Sequence, residues 1–249
     1  MKRNVFSLLV LTTILLASCT TMPEPIDTPP KETNKPTTRW DEIVKAGELK
    51  IGVNTLDSSF DNDLIDEFSK ESKLTVKKVL LDDDEKENAL NNNEVDFLWS
   101  QIPDSSENSL QYSLSEPYFH CSILTVVKNA DAVNDRKIIG TLLNSVSTEL
   151  AFREEKTVKK ADDIKALFSL LRHGSVDAIY INKETYNNLG SQTDDLTVAA
   201  EIETKLVLAF KQNDKAVKTE VEKVMAKIKA NGTASEISEK WYNNDFIIK

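Results

Sequence analysis

Short apolar runs alternate with amphipathic stretches from Trp40 to the carboxyl end of the chain. Leu49 to Val53 and Leu74 to Leu80 read as strands, with a helix around Asp63 to Lys70 between them. A helix through Ala89 and Leu90 leads into a strand at Val95 to Trp99. Further strands are predicted at Ser122 to Lys128, Ile138 to Leu143, Val176 to Ile181, Leu196 to Ile202 and Leu206 to Phe210. Helical spacing recurs at Val146 to Glu154 and at Ala161 to Leu171, where Ile164, Leu167, Phe168 and Leu171 share a face. Two helices close the chain. In the first, Val217, Val221, Val224, Met225 and Ile228 line one side and Gly232 stops it; the second should begin with a capping box, Thr233-Ala234-Ser235-Glu236, and pack Ile237 and Trp241. Alternating strands and helices predict an α/β fold.

Within this pattern, Asp96 to Tyr118 turns from an apolar run into a polar loop and back, as the wall of a pocket would. It holds Pro103 and Pro117 and contains no Arg, Lys or His.

The first residues are of another kind. Lys2 and Arg3 precede an apolar run from Val5 to Leu16 and small residues, as a secretory signal does, and the run is too short for a stable membrane span. Leu16-Ala17-Ser18-Cys19 resembles the bacterial lipobox, which implies lipid attachment at Cys19 and an extracytoplasmic, membrane-anchored protein; an ordinary cleaved signal with an incidental Cys is the alternative. Thr20 to Arg39 carries five of the seven prolines and little that is apolar, so it is expected to be an extended tether reaching about 60 Å.

Charge and cysteine content narrow the chemistry. The formal net charge of −10 becomes −12 once a leader carrying two positive charges is removed, so nucleic acid is an unfavourable partner. With Cys19 acylated, Cys121 has no intramolecular disulfide partner. His120 and Cys121 are neighbours on a strand and point to opposite faces, which disfavours a nucleophile–base dyad. Two His in the whole chain are too few for a zinc site, and the acidic run Asp82 to Glu85 lacks the spaced oxygens and turn glycine of a calcium loop. The six glycines fit no phosphate-binding loop, so no cofactor is expected.

Several segments coincide, in order, with signatures of one family. IVKAGELKIGV resembles its opening strand, Ser59-Phe60-Asp61-Asn62-Asp63-Leu64 its "Gly-Phe-Asp-x-Asp-Leu" helix start, and Leu114-Ser115-Glu116-Pro117-Tyr118 its "aromatic-Ser-Asp-Pro-Tyr". LLRHGSVDAIYIN is similar to its "Gly-x-x-Asp-Ala" strand and IKANGTASEISEKWYNNDF to its closing helices. The chain from Trp40 to Phe246 thus resembles the bacterial extracellular solute-binding proteins of family 3, the amino-acid receptors of ABC importers. The resemblance implies a two-lobed periplasmic-binding-protein-like II fold with two hinge strands. Lobe one would comprise residues 40–124 and 207–249 and lobe two residues 127–204, with the hinges at Ser122 to Lys128 and Thr204 to Phe210. It also implies a small solute bound in the cleft and an importer permease as partner.

Carried over residue by residue, the family's ligand site is altered. The lobe-one Arg that forks onto a ligand carboxylate falls at Asn108, and the lobe-two Asp that balances the ammonium falls at Asn182. The backbone donors of a Gly-Thr pair fall at Asn144 and Ser145, and those of lobe one near Ser100, Gln101 and Pro103. The aromatic-bearing loop before Ser59 is shortened. The five Arg lie at 3, 39, 136, 153 and 172, so lobe one from Trp40 has none, and the cleft is expected to hold neither the cation nor the anion that a zwitterion needs. The amides of Gln101, Asn108, Asn144 and Asn182 would suit a polar solute other than a standard α-amino acid. A sensor or adaptor that no longer binds small molecules is the alternative. A cyclic-carboxylate dehydratase is disfavoured by the same Asn108, and no catalytic residue is expected.

Overall fold

The computed structural model describes residues 37–57, 59–129 and 136–249. Cys19 and the tether up to Pro36 lie outside the described residues. The first helix, α1 (Arg39–Ala46), is closed by a capping box: the Thr38 hydroxyl accepts from the Asp41 N–H while the Asp41 carboxylate accepts from Thr38 N–H. The helix therefore brings in Arg39, one residue before the stretch from Trp40 in which lobe one was expected to begin without an arginine. Arg39 pairs with Asp96 at 2.7 Å, and the other Asp96 oxygen accepts from the Lys50 N–H at 2.8 Å.

Next come β1 (Glu48–Val53), α2 (Phe60–Ser72), β2 (Thr75–Leu80), α3 (Lys86–Asn91) and β3 (Phe97–Pro103). Where the sequence reads as a polar loop after Trp99, the strand continues to Pro103 and is followed by α4 (Ser106–Gln111), capped by Ser105, and by β4 (Ser113–Leu114). Six residues are too few for periodicity to announce a helix, but the Ser105 hydroxyl accepting from Asn108 N–H is the signal that was available.

Then follow β5 (Phe119–Val127), β6 (Ile138–Leu142), α5 (Val146–Arg153), β7 (Thr157–Ala161), α6 (Ile164–Arg172), β8 (Ala178–Asn182), α7 (Lys183–Asn187), β9 (Thr197–Phe210), α8 (Lys215–Ala230) and α9 (Thr233–Tyr242). The strand β7 was not expected, because TVKKA carries two lysines; it lies at the sheet edge, where lysines guard against further pairing. The two strands read at Leu196 to Ile202 and Leu206 to Phe210 are one, since the polar Glu203, Thr204 and Lys205 between them pair with Ser122, Cys121 and His120. The capping box read at Thr233 does not form. Gly232 takes the cap position with φ 89°, and the Asn231 side chain accepts from Thr233 N–H instead.

The strands lie in the order β2-β1-β3-β9-β5-β8-β6-β7, with β4 beside β9. At one end β2, β1 and β3 are parallel; at the other β8, β6 and β7 are parallel. Between them β5 and β9 run antiparallel from Phe119 against Leu206 to Val127 against Thr197, so two crossing strands join two parallel sets. This is the two-lobed α/β fold.

The first lobe's core is aromatic. Phe68, Phe97, Trp99, Tyr118 and Phe210 are buried together, and the Trp99 and Tyr118 rings meet edge to face at 5.7 Å. The expected apolar face of α8 is buried in the same core. A carboxylate lies inside it: Asp61 accepts from Tyr118 Oη at 2.9 Å, Trp99 Nε1 at 3.1 Å and Gln101 Nε2 at 3.3 Å. Burial pushes its pKa up against those three donors. The second lobe packs Leu167, Phe168 and Leu171 of α6 against Ile179, Ile181 and Val126.

Candidate functional site

In a parallel sheet the loops at the carboxyl ends of the strands carry binding groups. Here the ends of β1 (Asn54), β3 (Gln101 to Pro103), β6 (Asn144) and β8 (Asn182) converge between the lobes. Two pockets occupy the cleft. The smaller, about 260 Å³, is lined by Asn54, Gln101, Asn144, Ser145, Asn182 and Tyr242, among others. The larger, about 620 Å³, has Ile102, Asn108 and Tyr112 on one side and Glu149, Phe152 and Arg153 on the other.

Of the six ligand-site residues read from the sequence, four thus line the smaller pocket and Asn108 the larger. Ser100 lines neither: it is buried in β3 with its hydroxyl unpartnered. The amides are already engaged. Gln101 turns inward to Asp61, and Asn182 caps α7, its carbonyl oxygen accepting from Glu184 and Thr185 N–H while its amide reaches Cys121 Sγ at 3.2 Å. Asn108 donates to the Pro103 carbonyl at 2.8 Å and to the Glu149 carboxylate. Ser145 Oγ donates to the Leu142 carbonyl at 2.8 Å.

Backbone conformation marks two of these positions. Gln101 (φ 56°) and Asn144 (φ 51°) are left-handed, a state costing about 1 kcal/mol or more for a residue with a side chain. Asn tolerates it best after Gly, which accounts physically for Asn144 standing where the family resemblance places a glycine.

Direct polar contacts join the lobes across the cleft. Asn54 Nδ2 donates to the Asn144 carbonyl at 2.7 Å, Asn144 Nδ2 to Asp82 at 3.1 Å, and Lys160 to Asp83 at 3.1 Å. The Asn108–Glu149 bond is a fourth. Asp83 is tied in on both sides, since Lys86 also pairs with it at 2.9 Å. Burial acts to raise its pKa, but the two lysines outweigh it and hold the carboxyl below its usual range.

The expectation of a cleft without cation or anion is therefore corrected: Lys86, Arg153, Lys160, Asp83 and Glu149 all line the larger pocket. None of these residues falls at a position where the family resemblance places a ligand contact, so the resemblance gives no sign of them. Glu149 is part-buried and makes no ion pair among the described residues. Burial pushes its pKa up to about 7, against the Asn108 bond and the fields of Lys86 and Arg153. Tyr112, also buried, is raised to about 12. Glu149 and Arg153 lie one turn apart on α5, a spacing that by itself reads as an ordinary exposed pair. Cys121 gives no nucleophile, since burial lifts its thiol to about 12 and His120 is exposed on the other face.

The model of the bacterial extracellular solute-binding proteins, family 3, matches residues 59–244. The chain belongs to this family. It is 25% identical over 169 residues to the L-cystine-binding protein TcyJ of Escherichia coli K12, a match covering 63% of the chain and 64% of that relative, just under two thirds of its length. The L-cystine-binding protein TcyA of Bacillus subtilis is 24% identical over 242 residues, covering 88% of the chain and 90% of the relative. The crystal structure of an ABC uptake transporter substrate-binding protein from Streptococcus pneumoniae with bound histidine shares the fold with a TM-score of 0.68 at 18% identity, over 84% of this chain and 98% of that one. Among the described residues no helix is long and apolar enough to cross a membrane.

Proposed function

We propose that this family member is the extracytoplasmic, membrane-anchored solute receptor of an ABC importer, tethered through a lipid at Cys19. It binds a small polar solute between its lobes and presents it to a permease, without catalysing a reaction. The solute is not a standard α-amino acid. One observation carries the second half of this reading: Asn108, at the position of the carboxylate-binding arginine, is hydrogen-bonded to the carboxylate of Glu149. A ligand carboxylate placed there would meet another carboxyl group in a part-buried site, a like charge once the pH is above about 7, instead of a guanidinium fork. Gln101, Asn108, Asn144, Ser145 and Asn182 shape the cleft, and Ser100 supports it from behind. A dehydratase would need the same missing carboxylate clamp.

Four direct contacts between the lobes among the described residues favour a second reading, in which the cleft is closed on itself and the protein is a sensor or adaptor. A thermal-shift screen with amino acids, sugars, polyols, nucleosides, amines and small peptides separates the two. A true ligand at one hundred times its dissociation constant adds about 2.7 kcal/mol, a shift of several degrees. The receptor reading expects such a shift from at least one class; silence throughout leaves the adaptor.

A further inference from the structure

We infer that the larger interlobe pocket takes a small organic monoamine carried on an apolar body, with Glu149 as the anion that holds its ammonium group. The inference rests on the receptor reading above and names the ligand's chemistry. Of the charges lining the pocket, Asp83 is already paired, with Lys86 of its own lobe and with Lys160 across the cleft, and this trio keeps one net positive charge. Asp84 and Glu107 are exposed to solvent. That leaves Glu149, a part-buried carboxylate held in place by a single neutral amide. A desolvated anion of this kind is stabilised most by a cation delivered into the pocket.

The rest of the lining selects the body of that cation. Ile102 and Tyr112 from one lobe and Phe152 from the other offer apolar and aromatic surface; Phe152 is 54% exposed, a large ring left open at the cleft. The volume of about 620 Å³ suits a small organic molecule. Arg153 lies exposed on α5, and Lys160 sits 5.9 Å from the Phe152 ring, so a second positive charge on the ligand would be repelled at this side. This favours a monoamine over a diamine, and Glu149 opposes a carboxylate. The described residues contain no cluster of His, Cys, Asp and Glu suited to a metal ion.

Titration calorimetry of the whole chain at pH 8 with 2-phenylethylamine, 2-phenylethanol and 3-phenylpropionate tests this, in the wild type and in Glu149→Gln. The amine should bind, the neutral and acidic probes should bind at least tenfold more weakly, and Glu149→Gln should weaken the amine at least tenfold. In the wild type, amine affinity should also fall about tenfold between pH 8 and pH 6, as Glu149, with its pKa near 7, takes up a proton within the fields of Lys86, Asp83, Glu107, Arg153 and Lys160. The pH series needs no variant, so it decides the matter even if the substitution disturbs folding. The inference is overturned if the alcohol or acid binds as well as the amine, or if neither pH nor the substitution changes amine binding. A different solute that binds the wild type and Glu149→Gln alike would overturn it while leaving the receptor reading intact. Silence toward every solute overturns both.

Discussion

Asp61→Ala is expected to lower the free energy of unfolding by about 3–5 kcal/mol, measured by urea or thermal unfolding. The Asp61 carboxyl is 5% exposed and is the acceptor shared by Trp99 Nε1, Tyr118 Oη and Gln101 Nε2. Removing it leaves the Trp99 and Tyr118 donors facing an apolar core, at about 1–3 kcal/mol each, and adds a cavity among tightly packed rings. Against a typical total of about 5–15 kcal/mol, the variant would be marginally folded. Asp61→Asn keeps one acceptor oxygen and should cost clearly less. A loss below about 1 kcal/mol in the alanine variant would mean that the donors find other partners. The same carboxylate ties the core to the cleft, because Gln101, held in a left-handed conformation, is one of its three donors.

The second large effect concerns pH. The Glu149 pKa is about 7 in the folded protein, against 4.5 for an unperturbed glutamate. Between these values the folded state binds more protons than the unfolded one, so the contribution of this group to stability is complete below about pH 4.5 and is lost as pH rises through 7. A shift of this size amounts to about 3 kcal/mol. Glu149→Gln removes the titration, so its stability relative to the wild type should increase by about that amount between pH 4 and pH 8. Unfolding curves of both proteins across that range check the prediction. A constant difference between them would show that Glu149 has an ordinary carboxyl environment. Asp83, whose folded pKa is lowered, contributes with the opposite sign in both proteins, and its field on Glu149 is part of the upward shift that the comparison reads. A residue whose replacement stabilises the protein but weakens ligand binding carries the mark of a functional site.

Much of the fold was legible in the sequence because long amphipathic and apolar runs state their own faces. The α8 stripe from Val217 to Ile228 is buried as read, and the apolar strands β1, β3, β5 and β6 fall within a few residues of their expected places. What failed had tertiary causes. Glu203, Thr204 and Lys205 look like a loop but form the middle of β9 because β5 offers them a ladder. Thr233 has the right neighbours for a cap, yet Gly232 and Asn231 supply the helix start. Arg39 looks like tether, yet Asp96, far away in sequence, draws it into the fold.

The site was legible in outline only. Matching residues to the family's positions found the amides of the smaller pocket, and the structure brings Gln101, Asn144, Ser145 and Asn182 together there. It could not reveal that Gln101 and Asn182 spend their side chains on Asp61 and on the start of α7. Nor could it find Glu149, which gains its character from burial against Asn108 across the lobes rather than from its neighbours on α5. Spacing tells which residues share a helix face; the cost of desolvating a charge depends on what the opposite lobe places against it.

Under the proposed function, Asn108 stands in place of the carboxylate clamp that the family resemblance implies, and a different recognition chemistry takes over. Titration calorimetry with L-cystine, L-arginine and L-histidine tests it most directly. With Asn108 and Glu149 where a guanidinium would be needed, no binding tighter than about 1 mM is predicted for any of the three, that is, less than about 4 kcal/mol. Micromolar binding of any one of them would contradict the account.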